Sequence, residues 1–132
     1  MRSEPPYRVY PWWPEDGNAW IHPDDVRLAR RLIPSNRVFR RVGREGPYLV
    51  LSYGKLRLRV KPTLRQAIDG DGFDLGDTVE VCSLVGKNRP LVATIRDMHW
   101  NARSRAIQYR LCRRNMTLAR RYMAEDLRPV AR

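Results

Sequence analysis

An α+β protein dominated by β structure is the architecture this sequence predicts, and three observations predict it. Apolar residues alternate with polar ones over short runs from Arg37 to Pro62 and again from Phe73 to Val130. Period-two alternation bounded by turn residues marks half-buried strands. A single helical pattern precedes the first of these regions, and D-G-D-G-F-D at residues 69–74 separates the two. The expected order is an N-terminal helix, a three-stranded meander, and a five-stranded small barrel.

Residues 1–20 read as an extended arm. Four prolines among the first 14 residues disfavour helix, and Trp12, Trp13 and Trp20 lie here. Burying their rings on a neighbouring sheet is the expected fate of such side chains. Residues 21–68 form a helix plus β-meander. His22 is a candidate cap, Pro23 suits the first helical position, and Asp24 and Asp25 complement the positive end of the helix dipole. Val26, Ala29, Leu32 and Ile33 make an apolar stripe, and Pro34 stops it.

The period then changes to two. R-V-F-R-R-V, Y-L-V-L-S-Y and K-L-R-L-R-V-K read as strands, with R-E-G-P and Gly54 at the turns. Leu56, Leu58 and Val60 face a core in the third, so Lys55, Arg57, Arg59 and Lys61 share the opposite face. Thr63 to Ile68 suggests a short helical turn. Residues 73–130 form the barrel, through F-D-L-G-D-T-V-E-V, L-V-A-T-I-R-D-M-H-W, A-I-Q-Y-R-L-C and R-Y-M-A-E-D-L-R-P-V.

This last region resembles the SH3-like and Tudor-like small barrels. The resemblance rests on a G-D-x-V first strand, a middle hairpin, and a one-turn helix from Ala124 to Leu127 before a short final strand. It implies a binding module rather than an enzyme. The whole chain also resembles a group of short, uncharacterised bacterial proteins carrying W-I-H-P-D-D, P-S-N-R-V-F-R-R and Y-x-x-E-D-L-R-P, a likeness that implies no particular activity.

Charge narrows the class of partner. The 132 residues hold 26 basic against 14 acidic side chains, a net charge of +12. Arginine supplies 23 of the basic residues and lysine only three. A GC-rich coding sequence accounts for arginine over lysine, but not for the excess of cations over anions. Arginine matches phosphate oxygens with a planar fork, and counterion release along a polyanion gives affinity without sequence readout. No apolar run approaches the roughly 18 residues of a membrane helix, and the N-terminus lacks an apolar signal core, so a cytoplasmic protein is expected. Cys82 and Cys112, the only two cysteines, are then expected as reduced thiols.

Two basic groups are the candidate sites. Lys55, Arg57, Arg59 and Lys61 would form a ladder with neighbours ~6.6 Å apart, close to the spacing of successive phosphates. Arg103, Arg105, Arg113 and Arg114 sit at hairpin tips, with Arg120 and Arg121 following. Trp100, beside the first tip, with Tyr109 and Tyr122 nearby, offers stacking surfaces for unpaired bases, and the alternative is that these aromatics are barrel core.

Catalytic and metal signatures do not form. His22 and His99 lack ligand spacing. The calcium-loop echo at Asp69, Asp71 and Glu80 fails at Phe73 and Asp74, where an oxygen ligand and a glycine belong. No cofactor or catalytic residue is expected. The favoured function is non-enzymatic binding of nucleic acid, structured RNA (ribosomal RNA included) ahead of DNA. The alternative is a protein-interaction adaptor using the barrel groove and the tryptophan-rich arm.

Overall fold

The computed structural model describes residues 6–13, 17–62, 67–82 and 91–130. They divide into two units, Met1–Gly70 and Asp71–Arg132, with the D-G-D-G-F-D run spanning the division.

In the first unit, β1 (Tyr7–Val9), β2 (Val38–Glu45), β3 (Tyr48–Tyr53), β4 (Leu56–Val60) and β5 (Ala67–Ile68) form one antiparallel sheet ordered β4-β3-β2-β1-β5. Alternation drives it. Leu49 and Leu51 of β3 and Leu58 and Val60 of β4 fall on one face, where they pack with Tyr10, Ile21, Phe39 and the helix residues Ala29 and Leu32. Leu56 was expected in this core but is 43 % exposed, because β4 only begins there, directly after the Gly54-Lys55 turn.

Between β1 and β2 lie a four-residue helix α1 (Gly17–Trp20), a single 3-10 turn at Pro23–Asp25, and α2 (Val26–Leu32). The turn begins where His22 Nδ1 accepts the Asp24 N–H and Pro23 takes the first position. α2 ends before the cis Ile33–Pro34 peptide bond. Its carbonyl at Leu32 is met by Ser35 Oγ at 2.7 Å and by Arg37 at 3.3 Å.

The second unit contains β6 (Thr78–Val81), β7 (Leu91–Asn101), β8 (Ala106–Arg113), β9 (Met116–Met123) and β10 (Leu127–Pro129), ordered β10-β6-β7-β8-β9. A 3-10 turn at Ala124–Asp126 joins the last two strands, and Asp126 caps it by accepting the Met123 N–H at 3.0 Å. Arg114 and Asn115 both have positive φ, 51° and 65°, which closes the tight β8–β9 turn with the twist that suits a hairpin.

Three expectations are corrected here. The chain is mostly β rather than α+β, since its longest described helix has only seven residues. The arm of residues 1–20 is not a separate segment, since Tyr7–Val9 is an interior strand of the first sheet. The meander followed by an SH3-like barrel is instead two five-stranded antiparallel sheets, and among the described residues no ladder joins β9 to β10. The first sheet departs from expectation because short strands at Tyr7–Val9 and Ala67–Ile68, too brief to show periodicity, complete it; the second departs because, among the described residues, β10 pairs β6 and not β9. Of the helical turn expected over Thr63 to Ile68, residues 63–66 lie outside the described residues, while Ala67–Ile68 is β5.

Counted from its own first strand, each unit has the same order, fifth-first-second-third-fourth. The correspondence extends to register. In each, the second strand carries one extra residue against the third: Val42 between the Arg41↔Leu51 and Gly43↔Val50 pairs, Arg96 between Ile95↔Leu111 and Asp97↔Arg110. Aligning on these bulges equates Leu51 with Leu111, Leu49 with Tyr109, and Val60 with Tyr122, all core residues. Arg59 then corresponds to Arg121, and buried Arg8 to buried Val79.

Candidate nucleic-acid interface

Sheet alternation decides which cations reach the surface, and ion pairing decides which remain available. On β4, Arg59 is taken by the fold. Its Nε lies 2.8 Å and its Nη2 3.1 Å from the two oxygens of Asp25, and its Nη1 is 3.1 Å from Glu45. Asp25 also accepts the Arg59 backbone N–H at 2.9 Å. These bonds hold the Asp25 carboxyl below its ordinary range, burial acting in the opposite direction.

The neighbouring backbone is used as well. Ile21 bridges Val60, His22 N–H donates to the Arg59 carbonyl, and Lys61 N–H donates to that of Trp20. The segment W-I-H-P-D-D therefore covers the open edge of β4. Of the proposed ladder, Lys55 sits in the preceding turn, Arg57 and Lys61 are exposed, and Arg59 is neutralised.

The tryptophans follow a similar logic. Trp13 and Trp20 pack against the first core, and Arg30 lies 5.0 Å over the Trp13 ring, while Trp12 is exposed. Deep in the same unit, Arg8 is buried and donates to the Tyr7 carbonyl. Burial holds the Tyr10 hydroxyl well above its ordinary range, an effect that Arg8 partly offsets.

On the second sheet the hairpin-tip arginines do not converge. Arg103 and Arg105 belong to the β7–β8 turn and Arg113 and Arg114 to the β8–β9 end, so the length of β8 separates them by roughly 24 Å. Trp100 pairs with Ile107 and shares the face of Met98 and Tyr109, so it belongs to the half-buried core side. Tyr109 donates its hydroxyl to Asp71 at 2.8 Å and meets Phe73 edge-on; Tyr122 is buried.

The opposite face carries the cations. Asp97, Arg110 and Arg121 lie in one cross-strand row, with the two arginines directly opposite each other. Among the described residues Arg121 finds only a neutral acceptor, Gln108 Oε1, at 3.4 Å, and Arg110 Nε is buried with no hydrogen-bond partner. Arg96, exposed at the bulge, and Arg114 line a concavity of about 390 Å³ with Thr94, Ile95, Cys112 and Asn115. Among the described residues no carboxylate lines it. A second concavity, about 620 Å³, is bordered by Asp71, Asp77, Phe73 and Val79, a lining unsuited to an anion.

Arg96 and Arg110 were absent from the sequence-derived set. Arg110 was readable, because Ile107, Tyr109 and Leu111 face inward and so place Gln108, Arg110 and Cys112 outward. Arg96 was not, because nothing in A-T-I-R-D-M announces the bulge.

Among the described residues no group of acidic, histidine and cysteine side chains is placed to hold a metal ion, and no helix is long and apolar enough to cross a membrane. Cys82 and Cys112 are free and half-buried. The shared motifs resolve into supports of the fold. In Y-x-x-E-D-L-R-P, Tyr122 and Leu127 are buried, the Asp126 carbonyl accepts from Cys82, and Arg128 pairs with Glu80 at 2.9 and 3.0 Å, lowering the Glu80 carboxyl pKa. In P-S-N-R-V-F-R-R, Arg37 caps α2 and sits 5.9 Å over the Tyr53 ring.

Neither the curated proteins nor the solved structures contain a match to this chain. A family model does match, over residues 1–128, so it covers all of the first sheet and everything of the second sheet and of the three motifs except Pro129, the last residue of β10. The chain belongs to that family, a family of unknown function (DUF6960).

Proposed function

We propose that the protein binds nucleic acid without catalysing a reaction on it. The contact surface is the outer face of the second sheet, Arg110 and Arg121 with the adjoining Arg96, Arg113 and Arg114. The observation that carries this reading is the Arg110–Arg121 pair. Like charges directly opposite on neighbouring strands destabilise a sheet by a few tenths of a kcal/mol or more, and Asp97 is the single carboxylate in the row. At the matching position of the first sheet, Arg59 hydrogen-bonds two carboxylates, Asp25 and Glu45, and has Asp24 at 4.0 Å. A polyanion would supply the missing charge.

Structured RNA is favoured over DNA. The longest described helix, seven residues, is short for a major-groove reader, whereas an arginine-lined sheet face suits recognition of phosphates and shape.

Titration of a fluorescent RNA hairpin at several salt concentrations tests the proposal. Affinity should fall steeply with salt, with a log–log slope reflecting several neutralised phosphates. A flat slope, or no binding at low salt, overturns it.

A further inference from the structure

The concavity between the β7 bulge and the β8–β9 turn differs from the rest of the cationic face. Its lining residues include two arginines from separate elements, Arg96 and Arg114, together with Thr94, Cys112 and Asn115, all with side chains able to donate hydrogen bonds. Neither arginine has an ion-pair partner among the described residues. The bulge is what brings Arg96 here. In the first sheet the equivalent extra residue is Val42, which is apolar and 44 % exposed. The tight turn brings Arg114, at φ 51°, from the other side.

Two separately anchored guanidiniums fit an anion with more than one negative charge. A phosphodiester in a nucleic-acid backbone carries one charge and has a neighbour on each side, so it suits an open face. A phosphomonoester carries about 1.5 to 2 charges near neutral pH and presents three oxygens from a chain end, so it can enter a concavity. At about 390 Å³ the space is in the range of small-ligand sites.

We propose that Arg96 and Arg114, with Thr94, Cys112 and Asn115, form a site for a phosphomonoester, and that its source is the 5′-phosphate end of an RNA strand. This deepens the nucleic-acid reading and rests on it. Arg110 and Arg121 would hold the following backbone phosphates, while the concavity distinguishes a phosphorylated end from a hydroxyl end.

The test compares one RNA oligonucleotide with a 5′-phosphate or a 5′-hydroxyl, alongside a nucleoside 5′-monophosphate. Two charge-assisted hydrogen bonds should favour the phosphorylated strand by about tenfold or more. Arg96→Gln and Arg114→Asn should each reduce that preference, asparagine being chosen because it tolerates the positive φ of the turn. Arg121→Gln should weaken both oligonucleotides equally and leave the preference intact. Amide spectra of each variant establish that it remains folded.

Equal binding of the two oligonucleotides overturns the end-binding site while leaving the nucleic-acid reading standing. Failure of both to bind overturns both. A monophosphate that binds as tightly as the phosphorylated strand assigns the site to free mononucleotides and overturns the RNA-end source.

Discussion

The two sheets of this protein solve one topology with opposite charge arrangements. Both have the strand order fifth-first-second-third-fourth and a bulge at the matching place in the second strand. At the corresponding position of the fourth strand each has an arginine. Arg59 is held by Asp25 and Glu45, and Val50 lies opposite it. Arg121 has Arg110 opposite and Gln108 as its acceptor. An arginine on a sheet face is thus a structural tie in one unit and an uncompensated charge in the other. Net composition cannot make this distinction, because the first unit holds 14 basic and 7 acidic residues and the second 12 and 7. What differs is where the carboxylates stand.

The largest expected effect tests whether the alignment of the two sheets is correct. Leu51 and Leu111 are both fully buried and occupy matching register positions. Leu51→Ala and Leu111→Ala should each cost about 3 kcal/mol in denaturant unfolding, through lost burial and the cavity left behind. A small loss at only one of them would break the equivalence.

Next is the tie itself. Asp25→Ala leaves Arg59 Nε, Nη2 and the backbone N–H without their acceptor, with Glu45 still on Nη1, and should cost about 2 kcal/mol. The pH dependence has a definite sign. Asp25 and Glu80 have folded pKa values below their ordinary 3.8 and 4.5. Their contribution is complete above those ordinary values and disappears as pH falls through the depressed ones. Thermal unfolding should therefore show stability declining below about pH 4, and Asp25→Ala should flatten that decline.

A smaller cost is expected at Gly70, where a side-chain Cβ would overlap the Tyr7 ring. Gly70→Ala should cost about 1 to 2 kcal/mol, as Tyr7 is buried and its ring must shift. A neutral result would show that β1 moves readily against the segment following β5.

Much of this was legible in the sequence, for identifiable reasons. Y-L-V-L-S-Y, L-R-L-R-V and A-I-Q-Y-R-L-C alternate for five residues or more, and each is a strand. The helix stop at Pro34 and the positions of Arg57 and Arg59 on one face follow from the same local rules. What escaped was non-local. Tyr7–Val9 sits in a proline-rich run and becomes a strand through its partners Val38 to Arg40 and Ala67–Ile68. The clamp from Asp25 to Arg59 closes over 34 residues, so a helix-start aspartate gave no hint of it. The Arg96–Arg114 concavity depends on a bulge and a turn on different strands. Local periodicity finds the elements; pairing decides which charges are left over.

The most direct test sets matched variants side by side. Arg59→Gln and Arg121→Gln remove one guanidinium each, from equivalent positions, and leave a polar side chain of similar reach. Thermal stability and affinity for an RNA hairpin are measured for both at low and moderate salt. A crossed result is expected. Arg59→Gln should lower the melting temperature and leave RNA affinity nearly unchanged. Arg121→Gln should leave stability equal or slightly higher, reduce affinity, and shrink the salt slope by about one. Equal loss of affinity in both variants, or none in Arg121→Gln, would contradict the assignment of the binding face to the second sheet.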